Sequence, residues 1–453
     1  QLREIGVPPL GIFLEPLGRN TAPAAAVAAL ALLARDPEAV MLLLPADHLI
    51  NDVPAFHAAI IEGLTAVAGG RLGPPRLAPI PLSMKGSVYS TVLDRLAACP
   101  GETYPLHVGD TYLEPAPLCR MEDFAVAEHR GMHRYAPPQG LPALVDAVVE
   151  RLRARTGVPL ERENVFVAGG ATSGLACVVG AIVAPGDEVA ILAPHWPLIE
   201  GHVRMAGGVP LDVPFFGAVD SRESAAAAVE AALTPRTAAL YVNTPSNPTG
   251  HVVPRTWLEG LVDVARRHDL WLLFDEVYED YVYEGEHVPG LSLAPERSFA
   301  VHSCSKAYGM AGNRVGWVAG PAAPLAEALK LSTHTVYAAP TAAQLAALRV
   351  LGGAGDAWVE RTRAAYAATG AAAAERLGVA RPEGSTFLFL DVAPRLDARG
   401  LTGFLADAAD RGLAVAPGPS FGPYPTHVRV CYTSAPPDVV RRGIEVLAAL
   451  VGR

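Results

Sequence analysis

Lys306 stands in "VHSCSKAYGMAGNRVG", directly behind the apolar run "RSFAVHSC", with Arg314 following in the same stretch. A lysine carried toward an interior loses hydration of its ammonium, which lowers its pKa and frees a nucleophilic amine. Such an amine forms Schiff bases with carbonyl compounds; taken alone, Lys306 also reads as a lysine snorkelling from a sheet edge. Asp275 closes a second apolar run, "LLFDEVYEDY", with Tyr278 just beyond it. A carboxylate at that depth needs a cationic partner. A protonated pyridine nitrogen is one: at ~3 Å and an effective dielectric of about 20, the attraction is on the order of 5 kcal/mol before desolvation. Taken alone, Asp275 is equally a helix N-cap.

Four further segments carry polar or flat groups at comparable places. "YVNTPSNPTG" puts Asn247 where its amide can donate to a phenolate oxygen, although Asn-Pro is also a common turn signal. "VAGGATSGLACVVG" reads as strand, glycine turn and helix start, whose N–H groups and dipole make a phosphate cradle at Ala171 and Thr172. Ser303 and Arg314 complete such a dianion site through charge-assisted hydrogen bonds. "APHWPLIEG" offers Trp196, an indole for stacking on an aromatic ring or for ordinary core packing.

These residues need elements to position them. "NVFVAGG", "DEVAILAP", "TAALYVN", "LWLLFDE", "RSFAVHS" and "RVGWVAG" are short apolar runs, mostly separated by helical stretches. That alternation implies an α/β fold with a mostly parallel sheet buried on both faces. Ligands of such sheets collect at the carboxyl ends of the strands, where Thr172, Trp196, Asn247, Asp275 and Lys306 fall. In "GLPALVDAVVERLRARTG", Leu141, Leu144, Val145, Val148, Val149 and Leu152 recur at helical spacing and predict an amphipathic helix.

The chain has 453 residues, 51% of them hydrophobic, enough for about two to four domains. A net charge of −10 and a pI near 5.7 give no basic footprint, which argues against a nucleic-acid partner. Five scattered cysteines show no metal-ligand spacing, and no metal site is expected; they fit a reducing cytoplasm. The most apolar stretch, residues 21–34, is too short for a bilayer and lacks a signal peptide's basic lead, so a soluble, cytoplasmic protein is expected. His129 and His133 in "HRGMH" have a spacing that binds zinc on a helix, but no third ligand accompanies them, and a loop or surface role is expected.

Read in chain order, "ATSGL", "HWP", "NPTG", "DEVY", "SCSK", "NRVG" and "VRVCYTS" resemble the class I and II aminotransferases, pyridoxal-phosphate enzymes of fold type I. The resemblance runs over roughly residues 76–453. It implies a large domain with a seven-stranded, mostly parallel sheet flanked by helices, and a smaller α+β domain. The implied divisions are an N-terminal segment that is also part of the small domain at 73–125, a large cofactor domain at 126–345 and the C-terminal small domain at 346–453. By this resemblance Lys306 carries pyridoxal 5'-phosphate as the internal aldimine and then shuttles a proton. Asp275 pairs with the ring nitrogen, Asn247 and Tyr278 with the phenolic oxygen, and Trp196 covers the ring. Ala171, Thr172, Ser303 and Arg314 hold the phosphate. Arg429 in "HVRVCYTS" grips the substrate α-carboxylate as a bidentate fork. Gly109 in "LHVGDTYLEP" approaches that carboxylate through its backbone, and Tyr135 in "HRYAPPQGL" reaches the phosphate of a neighbouring subunit. The implied protein is a homodimer with shared active sites. It exchanges an amino group between an amino acid and a 2-oxo acid by a ping-pong route.

Two departures stand out. Trp occupies position 196, where many members carry Tyr, and no residue clearly reads a second substrate carboxylate. The same cofactor chemistry also serves lyases, decarboxylases and carbon–carbon bond-forming enzymes, which remain alternatives at this point. A ligand-sensing module of a transcription regulator would need a basic helix-turn-helix, which residues 1–75 do not offer. Ahead of a Gly- and Pro-rich linker at 69–82, "FLEPLGRNTAPA" and "MLLLPADHLI" resemble the middle of mannose-1-phosphate guanylyltransferases over about residues 3–68. Asp47 matches that family's metal- and nucleotide-binding aspartate, but its glycine-rich opening loop is absent. Residues 1–72 are therefore expected to be a remnant fragment without nucleotidyltransfer.

Overall fold

The chain divides into two units, Gln1–Pro79 and Ile80–Arg453. A computed structural model describes residues 80, 81, 84 and 90–453, all in the second unit. Residues 1–72, including Asp47, lie outside the described residues. Those residues open with helix α1 (Ser90–Ala98) and a short strand, β1 (Tyr104–Pro105). The amphipathic helix follows as α2 (Pro142–Thr156), with Leu144, Val145, Val148, Val149 and Leu152 buried. Leu141 is its N-cap residue and is half-buried, so the helix starts one position later than the periodicity suggests.

Strands and helices then alternate through β2 (Val165–Ala168), α3 (Ala171–Ile182), β3 (Glu188–Ala193), α4 (Leu198–Met205) and β4 (Val209–Pro214). Next come α5 (Arg222–Glu230), β5 (Thr237–Asn243), α6 (Arg255–Arg267) and β6 (Trp271–Asp275). β7 (Ser298–Ser303) runs into the short helix α7 (Cys304–Ala307), and β8 (Gly316–Ala319) returns. These strands form one seven-stranded sheet in the order β2-β8-β7-β6-β5-β3-β4. Only β8 runs against the rest, pairing antiparallel with both β7 and β2. Six of the strands are the apolar runs anticipated from sequence. The seventh, β4, escaped notice because "VPLDVP" carries two prolines and a half-exposed aspartate. Both suit the sheet's edge, where β4 pairs only with β3.

Burial on both faces follows from the period-2 pattern. Ala190, Leu192, Leu240, Val242, Leu272 and Phe274 feed one core, while Val189, Ile191, Ala239, Tyr241 and Leu273 feed the other. After α8 (Ala322–Thr335) and α9 (Thr341–Arg349), the long α10 (Asp356–Leu377) leads into a second body. There β9 (Phe387–Asp391), α11 (Gly400–Ala409), β10 (Leu413–Ala414), β11 (Ala416–Pro417), β12 (His427–Cys431) and α12 (Pro437–Leu450) gather. β11, β12 and β9 make an antiparallel sheet, and β10 pairs in parallel with β1. Leu106, next to β1, is buried in the same core as Leu388, Leu390, Val428 and Ile444. The segment from 104 thus closes the second body from far upstream. Among the described residues, no helix is long and apolar enough to cross a membrane.

Candidate active site

β3, β5, β6 and β7 run in parallel, so their carboxyl ends open on one side of the sheet. A cavity lies there, enclosing roughly 650 Å³ with its open mouth, within the usual range for small-molecule sites. Ala171, Thr172, Trp196, Asn247, Asp275, Tyr278, Ser303, Lys306 and Arg314 all line it. Nine of the twelve residues singled out in the sequence therefore share one wall.

Asp275 ends β6 at the cavity floor and is almost fully buried. Burial pushes its carboxyl up to about 6, and a hydrogen bond from Tyr241 works against that rise. The Tyr241 Oη donates to Asp275 Oδ2 at 2.7 Å, and the Val277 N–H reaches Oδ1 at 3.4 Å. Burial holds the Tyr241 phenol well above its ordinary value, so it remains a neutral donor. The pairing follows from register: β5 lies beside β6, with Tyr241 opposite Leu273 and Asn243 opposite Asp275. Asn243 Nδ2 then donates to the Asp275 carbonyl, fixing the backbone that carries the carboxylate.

Lys306 comes from the first turn after β7 and is partly open to the cavity. Burial lowers the proton affinity of its amine, with the Asp110 charge opposing. Its Nζ donates to the Gly109 carbonyl. Gly109 is confined: a Cβ there would meet the Phe387 ring at 2.7 Å. Tyr278 is buried edge-on against the same Phe387 ring, and burial raises its phenol above the ordinary range.

The anion-binding corner forms where β2 turns into α3. Gly170 is the N-cap residue at φ 84°, and the first-turn N–H groups of Ala171 and Thr172 have no helical acceptor. A Cβ on Gly170 would lie 2.5 Å from Arg314 Nη2, so glycine is what lets the guanidinium reach this turn. Arg314 itself sits at φ 55°, a left-handed conformation uncommon for a residue with a Cβ. It is held there by donating from Nη1 to the Ala311 carbonyl at 2.8 Å. Ser303 caps α7, accepting from the Ser305 N–H at 2.9 Å, and Ser305 lines the cavity beside it.

Arg429, in β12 of the second body, is buried and stacks on Phe387 and Phe421. Its Nη1 donates to Asn247 Oδ1 at 2.9 Å and its Nη2 to the His107 carbonyl at 2.6 Å, while Nε finds no partner. With Oδ1 taken by Arg429 and the Asn247 N–H bonded to Asn243 Oδ1, the Asn247 amide keeps Nδ2 as its available donor. Asn247 thereby links Arg429 to the cavity. Tyr135 stands apart: it is 86% exposed, touches Tyr337 and does not line the cavity. Sequence reasoning missed Tyr241, Asn243 and Ser305. Ser305 alone had a local signal, lying between Ser303 and Lys306.

The cavity's chemistry fits pyridoxal phosphate residue by residue. A desolvated carboxylate faces a site where a ring cation would relieve it, a lysine with weakened proton affinity stands near, and a glycine-built anion corner lies beside an arginine. This is the layout of a fold-type I pyridoxal-phosphate enzyme. The chain belongs to the class I and II aminotransferases, whose family pattern matches residues 106–447. It is 36% identical over 336 residues to a probable aspartate/prephenate aminotransferase of Thermus aquaticus, covering 69% of this chain and 85% of that one. It is 35% identical to an arginine–pyruvate transaminase of Pseudomonas aeruginosa, covering 72% and 84% of the two chains. The solved Thermus thermophilus aspartate aminotransferase double mutant superposes with a TM-score of 0.75 at 32% identity. That match covers 83% of this chain and all of the other. The protein is therefore a pyridoxal-phosphate-dependent transaminase that acts on amino acids and 2-oxo acids.

Proposed function

We propose that the residues gathered at the cavity divide the work of transamination among themselves. Pyridoxal phosphate supplies, when bound, an electron-withdrawing ring that stabilises negative charge at an amino acid's Cα. Asp275 keeps the ring nitrogen protonated, with Tyr241 and Asn243 fixing its carboxylate. Asn247 and Tyr278 serve the phenolic oxygen, and Trp196 covers the ring. Ala171, Thr172, Ser303 and Arg314 hold the phosphate, and Lys306 holds the aldehyde end. Arg429 turns its guanidinium, including the unpartnered Nε, to the substrate α-carboxylate, and Gly109 approaches through its backbone. Lys306 Nζ, when its amine is free, would take the proton from the substrate's Cα and hold it for delivery within the same site. The observation that carries this reading is the Arg429–Asn247 contact at the edge of the cavity that holds Asp275 and Lys306.

The donor is proposed to be an amino acid recognised through one carboxylate. Among the residues lining the cavity, the basic side chains are Lys306 and Arg314, and both have other tasks. A dicarboxylic donor would need a cation from outside this lining, such as one from a partner subunit. Purified holoenzyme mixed with single amino acids tests both points. Loss of the bound aldehyde's absorbance together with release of the matching 2-oxo acid supports transamination. Preference for neutral over acidic donors supports the single-carboxylate reading. Ammonia or carbon dioxide release without the cofactor's amine form would contradict the first. The assembly is proposed to be a homodimer in which Tyr135 serves the partner's phosphate site.

A further inference from the structure

We propose a divalent-cation site, separate from the transamination centre, formed by His195, Glu200 and Asp212. The three come from successive elements: His195 lies just past β3, Glu200 in α4 and Asp212 in β4. The His195 imidazole is completely buried, with Nε2 2.9 Å from Asp212 Oδ1 and 3.6 Å from Glu200 Oε1. All three ligand atoms lie within 4.8 Å of one another.

The other ring nitrogen settles which atom is offered. His195 Nδ1 lies 3.0 Å from the Trp196 carbonyl, which only accepts, so Nδ1 carries the hydrogen and Nε2 faces the two carboxylates. A backbone carbonyl on the far nitrogen is how metal-binding histidines are commonly oriented. Tetrahedral zinc, with bonds of about 2.0–2.2 Å, sets its ligand atoms ~3.3–3.6 Å apart; the Glu200 distance of 3.6 Å meets that span, and the Asp212 distance of 2.9 Å must lengthen to reach it. One imidazole and two carboxylates suit Zn²⁺ better than Ca²⁺, which takes six to eight oxygens. Asp212 and Glu200 are 34% and 22% exposed, which leaves a solvent path and room for a water as fourth ligand. Arg204 approaches the other Glu200 oxygen only at 3.9 Å, so a negative charge remains for an ion to balance. A proton on Nε2 can balance it too, and proton and metal compete for that one position.

The cluster of Glu276, Glu279 and His302 is the contrasting case. Arg151 and Arg155 already reach Glu279 at 3.5 and 2.8 Å, and His302 turns opposite nitrogens toward its two carboxylates. An ion bound at His195 would tie the segment carrying Trp196 to strand β4.

The full-length holoenzyme, free of any polyhistidine tag and treated with chelator, can be titrated calorimetrically with Zn²⁺ and spectroscopically with Co²⁺. The expected result is one saturable ion per chain, with visible Co²⁺ bands typical of four-coordination. Asp212→Asn and Glu200→Gln, both partly exposed, should each weaken binding about tenfold or more, and His195→Gln should abolish it. No saturable binding, or one-per-chain binding that both carboxylate variants leave unchanged, would overturn the proposal. Either outcome leaves the transaminase assignment untouched.

Discussion

Asp275 carries a cost in the cofactor-free chain that a ring cation held beside it, as proposed, would remove. Its carboxyl titrates near 6 when folded and near 3.8 as an unperturbed group. Between those values the folded chain holds more protons than the unfolded one, so stability is lost as pH rises from about 4 to 6. The gap corresponds to roughly 3 kcal/mol. Asp275→Asn should therefore raise the melting temperature of cofactor-free protein at pH 7.5 by several degrees and change it little at pH 4. Cofactor affinity should fall at the same time. Melts at the two pH values decide it, since equal curves at pH 7.5 would remove the argument. Lys306→Ala should abolish turnover and leave the cofactor removable by gel filtration under conditions where the wild type retains it. Retained turnover would contradict the assignment of Lys306. Taken alone each residue also had an ordinary structural reading, and it was the ordered set of motifs around them that made both legible in the sequence. Tyr241 was not, because a tyrosine inside "TAALYVN" reads as core. Only the β5–β6 register places its hydroxyl against Asp275.

The junction of β2 with α3 shows what an element contributes beyond its residues. The helix supplies unpartnered N–H groups, and Gly170 supplies the left-handed turn that aims them while leaving space for Arg314. Gly170→Ala would place a methyl 2.5 Å from Arg314 Nη2 at a φ of 84°. The guanidinium must retreat, so affinity for pyridoxal phosphate should fall by about tenfold or more, as lost charge-assisted bonds imply. Affinity for pyridoxal, which lacks the phosphate, should hardly change. Comparing the two ligands separates this mechanism from general unfolding, which would weaken both. The glycine turn was visible in "VAGG", whereas the arginine's backbone strain was not. Among strands, β4 was hidden by composition, because proline and aspartate are tolerated at an edge whose outer hydrogen bonds are unused. The second body, with its upstream contribution from 73–125, was implied by the family resemblance and not by any local pattern. Leu106 packs among residues near 388, 428 and 444, and no local pattern announces such a contact.

At the scale of the whole molecule, Tyr135 is the residue whose proposed role depends on assembly. Its ring is 86% exposed beside Val336 and Tyr337, themselves exposed at 45% and 42%, an apolar surface that a second copy can cover. If its phenol serves the partner's phosphate corner, Tyr135→Phe should weaken cofactor retention in the dimer, and mixing variants can show which chain supplies it. In a mixed dimer of Lys306→Ala and Tyr135→Phe subunits, a shared site draws its lysine from one chain and its tyrosine from the other. One of the two sites then has both wild-type groups, and the second has neither. A site built within one chain would leave every position with exactly one defect. Random pairing of equal amounts makes about half of all dimers mixed, so roughly one site in four regains wild-type cofactor affinity under the shared arrangement. Titrating the mixture with limiting pyridoxal phosphate reads that fraction directly. A quarter of sites at wild-type affinity supports the cross-subunit role, and none at that affinity returns Tyr135 to the surface of its own chain.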